Sequence, residues 1–360
     1  MRARAWMQRR GSWCESFATI SLLLMSLLFW PAQSAAQSAN TAFSGQATVV
    51  QATVAAPPPL GPQTIVLSDT GALDSTGGAK HVSLLEAEAS DPNNLVTVTA
   101  EVLHASTVGQ GQRSRSEASV ANVTLTLGGN VISAGFLQAR ATAECQNGTA
   151  SVSGSSEIVD LVINGQSIVV SGQPNQTIPL PIGRVIINEQ KSSASGKTGD
   201  ISVNALHVEV DGVANVVISS AHADITCGGP VCPGEDFVTG GGWITGTPSG
   251  AKGTFGVAGG IKNGAFWGHL TYIDHGPNGP KVKGTGVTAY TAPDLKTHPT
   301  LRHIEGTAEV NGQGGFTYAV DVADNGEPGR NDTFSLSLSN RYHASGLLDG
   351  GNIQLHTPCK

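Results

Sequence analysis

Twelve residues, Asp321-Val-Ala-Asp-Asn-Gly-Glu-Pro-Gly-Arg-Asn-Asp332, gather more hard oxygen donors than any other stretch of this chain. Asp321, Asp324, Asn325, Glu327, Asn331 and Asp332 could together supply the oxygens that Ca²⁺ takes up. Their spacing is not the alternating ligand pattern of an EF-hand loop. Asn325-Gly326 and Pro328-Gly329 also suit a long solvated hairpin turn, with Arg330 neutralising a carboxylate. A plain solvated hairpin is the expectation for this loop, and calcium is the metal alternative. A second group lies on one strand, where Trp267, His269, Tyr272, Asp274 and His275 follow each other closely. Alternation is expected to put Trp267 and His269 on one face and Tyr272 and Asp274 on the other, with His269 and His275 pointing in opposite directions. Trp267 and His269 are therefore the candidate ligand-cleft residues, against a reading as packed aromatics with a satisfied histidine.

Catalytic constellations are absent from the sequence pattern. Glu86 and Glu88 share a strand face and Glu101 falls on another strand, but no sugar-stacking aromatic accompanies them as a glycosidase groove would require. Ser195-Gly-Lys-Thr198 has Lys191 where a phosphate loop needs its first glycine. The chain is expected not to be an enzyme, and no resident cofactor is implied beyond the candidate calcium.

Elements that would carry these residues are strands. Val123, Leu125 and Leu127 alternate with Thr124 and Thr126, and Phe334, Leu336 and Leu338 alternate with Ser335 and Ser337. Period two with one polar face reads as half-buried strands. Asn-Gly or Asp-Gly pairs at Asn147, Asn164, Asp211, Asn263, Asn311, Asn325 and Asp349 mark hairpin turns, because these residues reach positive φ cheaply. Around Ala205-Leu206 the apolar phase slips, from Ile201, Val203 and Ala205 to Leu206, Val208 and Val210, which predicts a β-bulge. The fold class is all-β and antiparallel.

Two domains are expected, at 37–228 and 236–360, joined by a Gly- and Pro-rich linker at 229–235. Both tryptophans after residue 36 and all four tyrosines follow that linker, and only Phe43 and Phe136 precede it. An aliphatic sandwich followed by a small aromatic barrel or tight sandwich fits this partition. Cys145, Cys227, Cys232 and Cys359 allow three pairings. Cys145–Cys227 with Cys232–Cys359 is preferred because each bond then closes within one domain.

Residues 1–36 read as a secretory signal peptide. Four arginines precede an apolar run from Phe17 to Trp30, and Ser34-Ala35-Ala36 is the expected cleavage site. The run is too short to span a bilayer comfortably, so the mature chain is expected to be secreted, or associated with the cell surface, without a transmembrane segment. The full chain has 20 basic and 27 acidic residues. Removing 1–36 takes four arginines and Glu15, leaving a net charge of −10. Nucleic acid is thereby excluded as a partner. A cell-envelope or extracellular-matrix component is the expected partner class, and the sequence sets no oligomeric state.

Ser44-Gly-Gln-Ala-Thr-Val-Val50, the run Ser106–Ala121, Ile186-Ile-Asn-Glu-Gln190, Asn204-Ala-Leu-His-Val208 and Ala221-His-Ala-Asp-Ile225 resemble the choice-of-anchor P family. From Phe237-Val-Thr-Gly-Gly-Gly-Trp-Ile244 onward the chain is similar to the module that often follows that domain. The resemblance implies a bacterial secreted or surface protein with variable attachment devices, and it supplies no catalytic residues. No anchor is recognised near Lys360, so free secretion or non-covalent retention is expected. The functional expectation is a non-catalytic structural, adhesive or envelope-interaction protein. The alternative is a small-ligand or glycan-binding protein whose site lies among the C-terminal aromatics.

Overall fold

A computed structural model describes residues 40–55, 61–232 and 234–358. The expected signal peptide, most of the Pro57–Pro62 stretch and Cys359 lie outside the described residues, and with Cys359 goes the Cys232–Cys359 pairing. The described chain is all-β. β1 (Ala42–Val54) and β2 (Gln63–Asp69) open a first sheet. The chain crosses to a second sheet through β3 (Gly78–Ser90), β4 (Val96–Gln110), β5 (Arg113–Leu127), β6 (Asn130–Gln146), β7 (Thr149–Val159), β8 (Val162–Ile163) and β9 (Gln166–Ser167). It returns with β10 (Gln176–Pro179), β11 (Arg184–Ser195), β12 (Thr198–Val210) and β13 (Ala214–Thr226). The third sheet holds β14 (Phe237–Ile244), β15 (Gly253–Lys262), β16 (Ala265–Asp274), β17 (Lys281–Thr291), β18 (Leu301–Val310), β19 (Gln313–Ala323), β20 (Thr333–Leu338), β21 (His343–Leu347) and β22 (Gly350–His356). All strand neighbours run antiparallel.

The first sheet, ordered β10-β11-β12-β13-β1-β2, is the back layer. It packs on the second, central sheet, ordered β3-β4-β5-β6-β8-β9 with β7 beside β6. Their shared core is aliphatic, with Phe43 its one aromatic residue. Cys145, at the end of β6, and Cys227, just past β13, form a disulfide across these two layers. The third sheet curls into a half-barrel around its own core, which includes Phe255, Tyr272 and Phe334. Ser345 on β21 donates its N–H to the Gly246 carbonyl beyond β14 at 3.0 Å, bringing the two ends of the curl together.

Turn chemistry sets the hairpins. Asn147, Asn164, Asn263 and Asn311 all have φ near +50°, each followed by a glycine at positive φ, the pair that a tight primed turn needs. Asp211, Asn325 and Asp349 do not adopt that conformation, and Asn325 belongs to a longer loop.

The phase slip at Ala205-Leu206 is real, but it is not an inserted residue. Asn204 pairs with Ser220 and Leu206 with Ile218, so the register is unchanged across it. The same row crosses five strands of the back sheet, through Ser68, Val49, Ser219, Ala205 and Asn188. Ser68, Ser219 and Asn188, on alternate strands of that row, lie at positive φ. Each strand flips its faces at the same level. Val49 and Val50 are consequently both fully buried although they are neighbours.

Candidate functional site

The central sheet has two different faces, and alternation along three strands creates them. Ala105, Ala118 and Ala139 form one row against the back layer. One residue along, His104, Ser119 and Gln138 form a row on the opposite face, and all three are buried. What covers them is the start of the curled sheet. Glycine permits that contact: a Cβ on Gly241 would stand 2.5 Å from Ser119 Oγ, and one on Gly256 3.0 Å from His104 Cβ. The Gly-Gly-Gly-Trp stretch of β14 is therefore the place where sheet meets sheet. Gln138 Nε2 donates to the Gly241 carbonyl at 3.4 Å, Ser83 Oγ and Thr271 Oγ1 are 2.8 Å apart, and Phe136 packs on Trp243 with ring centroids 4.7 Å apart.

β16 delivers the candidate ligand residues to this junction. Trp267 lies 4.8 Å, centroid to centroid, from His81 of β3 and 5.4 Å from Phe237 of β14. His81 stacks on His269 at 4.7 Å, and His269 Nε2 is 3.1 Å from His104 Nδ1. Trp267 and His81 line a cavity of about 600 Å³, together with Phe237, Ile261, Lys262 and Glu235. His269 is not among the lining residues; it sits behind His81 in the junction. Burial, then the neighbouring Lys262 charge, pushes His81 down to about 4. Burial, then His81, takes His104 to about 3, and burial with both histidines holds His269 well below 6.5. All three rings are neutral at pH 7, and they act as packing and hydrogen-bonding groups.

One expectation is corrected here. His269 and His275 do not point in opposite directions. Six residues is an even separation, so a regular strand returns both side chains to the same face. His269 contacts His104, and His275 Nδ1 is 3.0 Å from Asn122 Nδ2, both on the central sheet. At about 3.4 Å per residue the two histidines are roughly 20 Å apart along the strand, so they have separate neighbours.

Apart from the exposed Glu88, the carboxylates singled out in the sequence serve the same junction or the loop beside it. Glu86 and Glu101 are directly opposite on β3 and β4, and Lys281 of the curled sheet reaches both, the second at 3.9 Å. In the acidic loop, Asp324 Oδ2 accepts from Leu355 N–H at 2.9 Å, and Asp332 accepts from Asn325 and Ile353 N–H at 2.8 Å each. Both aspartates thus fasten the loop to β22. Asn325 Nδ2 donates to the Asn331 carbonyl at 2.9 Å, Glu327 accepts from Gln354 at 3.0 Å, and Asp321 meets His303 at 2.8 Å. Burial raises the Asp332 carboxyl to about 7 against those two N–H donors. Among the described residues no group of three or more His, Cys, Asp or Glu is placed to hold a metal ion.

Residues that sequence reasoning passed over include His81, His104, Phe237 and Glu117. Glu117, on β5, is buried and its Oε1 has no partner. Asn352 Nδ2 lies 3.5 Å from its other oxygen. Burial pushes this carboxyl up to about 8, opposed by the Arg140 charge. A neutral Glu117 carries an O–H that can be donated to Gln138, whose Oε1 is also unpartnered. Alternation alone could have signalled His104 and Glu117, and it does not distinguish a face covered by another sheet from a solvated one.

No protein-family model, curated protein or solved structure matches this chain. Among the described residues no helix is long and apolar enough to cross a membrane. The Cys145–Cys227 bond suits an oxidising compartment.

Proposed function

We propose that this chain is a non-catalytic extracellular β protein, secreted or associated with the cell surface, acting in structural, adhesive or envelope contact. One observation carries the reading: Glu86, Glu101, Asp324, Asp332 and the His104–His269 pair, groups with the right chemistry for turnover, are engaged in holding layers together. Glu86 and Glu101 clasp Lys281, Asp324 and Asp332 accept β22 backbone N–H groups, and His104 and His269 bond each other. A nucleophile or general base needs its reacting atom free toward substrate. The signal-like residues 1–36 support export, the cross-layer disulfide supports an oxidising destination, and the choice-of-anchor P resemblance supports a bacterial surface context.

Fractionation of a producing culture, with thiol labelling of each fraction, tests this. The expected result is oxidised protein, lacking residues 1–36, in the medium or the envelope wash. Full-length reduced protein in the cytosol, or turnover on a panel of polysaccharides and esters, would overturn it.

A further inference from the structure

Beyond a contact role, the cavity at Trp267 has the makings of a binding site. Its volume, about 600 Å³, falls in the range of small-molecule pockets. Its walls are the Trp267 and Phe237 rings, tilted 54° to each other, with His81 across from Trp267. Glycines at 78, 109 and 264 leave part of the lining as bare backbone. The polar complement is small and unengaged. Among the described residues no hydrogen bond or ion pair engages the side chains of Lys262 and Glu235 or either ring nitrogen of His81.

Charge decides what chemistry fits. One ammonium and one carboxylate at the cavity cancel, and a neutral imidazole adds a donor or acceptor without charge. Such a site has no net preference for an anion or a cation. It offers an aromatic platform together with an ammonium donor and a carboxylate acceptor. An apolar face with hydroxyls around its rim is the complementary ligand, and that is a neutral pyranose ring.

We propose that this cavity binds a neutral saccharide of one or two rings, its C–H face lying on Trp267 and its hydroxyls bonding Glu235 and Lys262. His81 is a positioning residue here, its imidazole packed against the Trp267 ring with centroids 4.8 Å apart.

The test is calorimetric titration of the full chain with cellobiose, maltose, lactose and N,N′-diacetylchitobiose, with tryptophan emission followed in parallel. At least one disaccharide is expected to bind with a Kd between about 10 μM and 1 mM. Trp267→Ala should weaken that binding by about tenfold or more, and Glu235→Gln by about threefold to tenfold. Glu235 is exposed, so its variant keeps the proposal falsifiable should Trp267→Ala fail to fold. Heat and emission changes absent for all four sugars at about 10 mM would overturn the proposal. So would sugar binding that survives both substitutions, or 8-anilinonaphthalene-1-sulfonate binding in the cavity that no sugar displaces. Cleavage of a bound disaccharide would sink the non-catalytic reading and leave the cavity standing, whereas silence would sink the cavity and leave that reading untouched.

Discussion

The two faces of the central sheet are built from the same three strands, yet they are held by different physics. Toward the back layer, Leu103, Ala105, Val120, Leu137 and Ala139 close a dry aliphatic core, clipped by Cys145–Cys227. Toward the curled sheet, His104, Glu117, Ser119 and Gln138 are just as buried but polar. Five of the nine buried side-chain polar atoms without a partner among the described residues belong to this second junction: His104 Nε2, Arg115 Nε, Glu117 Oε1, Gln138 Oε1 and Asn352 Oδ1. Each such group costs about 1–3 kcal/mol in desolvation. The back interface is therefore stabilising in itself, whereas the front one depends on close glycine contact and on the protonation state of its members. Equal burial does not mean equal strength.

That contrast can be broken first at the back. Replacing Cys145 and Cys227 together by Ala removes a link closing 82 residues of sequence separation and should cost about 4 kcal/mol by urea denaturation. Leu137→Ala, a fully buried side chain in the same core, should cost about 2–5 kcal/mol. Neither variant is expected to alter the pH dependence described below.

The front is broken by volume. Gly241→Val places atoms against Ser119 and His104 and should cost about 1–3 kcal/mol. Its signature is faster hydrogen exchange in β14–β16 and in the covering rows of the central sheet, with the aliphatic core still protected.

Acid and base act on the front face as well. His81, His104 and His356 have folded values of about 4, 3 and 3 against an ordinary 6.5, and His269 is lowered too. Below 6.5 the unfolded chain binds more protons than the folded one, so stability falls as pH drops from 6.5 toward 3. Glu117 works the other way. With a folded value of about 8 against 4.5, the folded state holds the extra proton, and stability falls as pH rises from 4.5 to 8. Asp332, at about 7 against 3.8, adds to that alkaline loss. Thermal melts across pH should peak near 6.5, with the steeper decline on the acid side. Glu117→Gln should flatten the alkaline arm and add about 1–3 kcal/mol at pH 9 relative to the parent. The smallest effect is at the acidic loop. Asp332→Ala should lower stability by about 1–2 kcal/mol through its two lost N–H partners. Equal losses with and without millimolar calcium are expected of a plain hairpin, and a calcium-dependent rise in the parent's melting temperature would instead support the metal expectation.

Much of the fold was legible because strand periodicity and turn residues are local. Alternation along β5 and β20, and the four Asn-Gly turns at positive φ, follow from steric preferences that act within a few residues. The aliphatic-to-aromatic shift after residue 228 likewise foretold two kinds of core. The candidate site was legible only in part. Trp267 was singled out and lines the cavity, but its companions His81, Phe237 and Gln110 come from β3, β14 and β4, and only the packing of two sheets brings them together. His104 and Glu117 each stand beside a core alanine, Ala105 and Ala118, in the alternation that a half-solvated strand would also show.

By itself, then, the chain's order of residues determined strands, turns and which side of each strand is polar, since those depend on φ, ψ and the pleat. Whether a polar side meets water or another sheet is a long-range matter. In this protein the glycines of β14 and β15 decided it, by letting a second layer approach until backbone and side chain touch. Protonation followed from that approach, because a carboxyl or imidazole titrates according to what surrounds it in three dimensions.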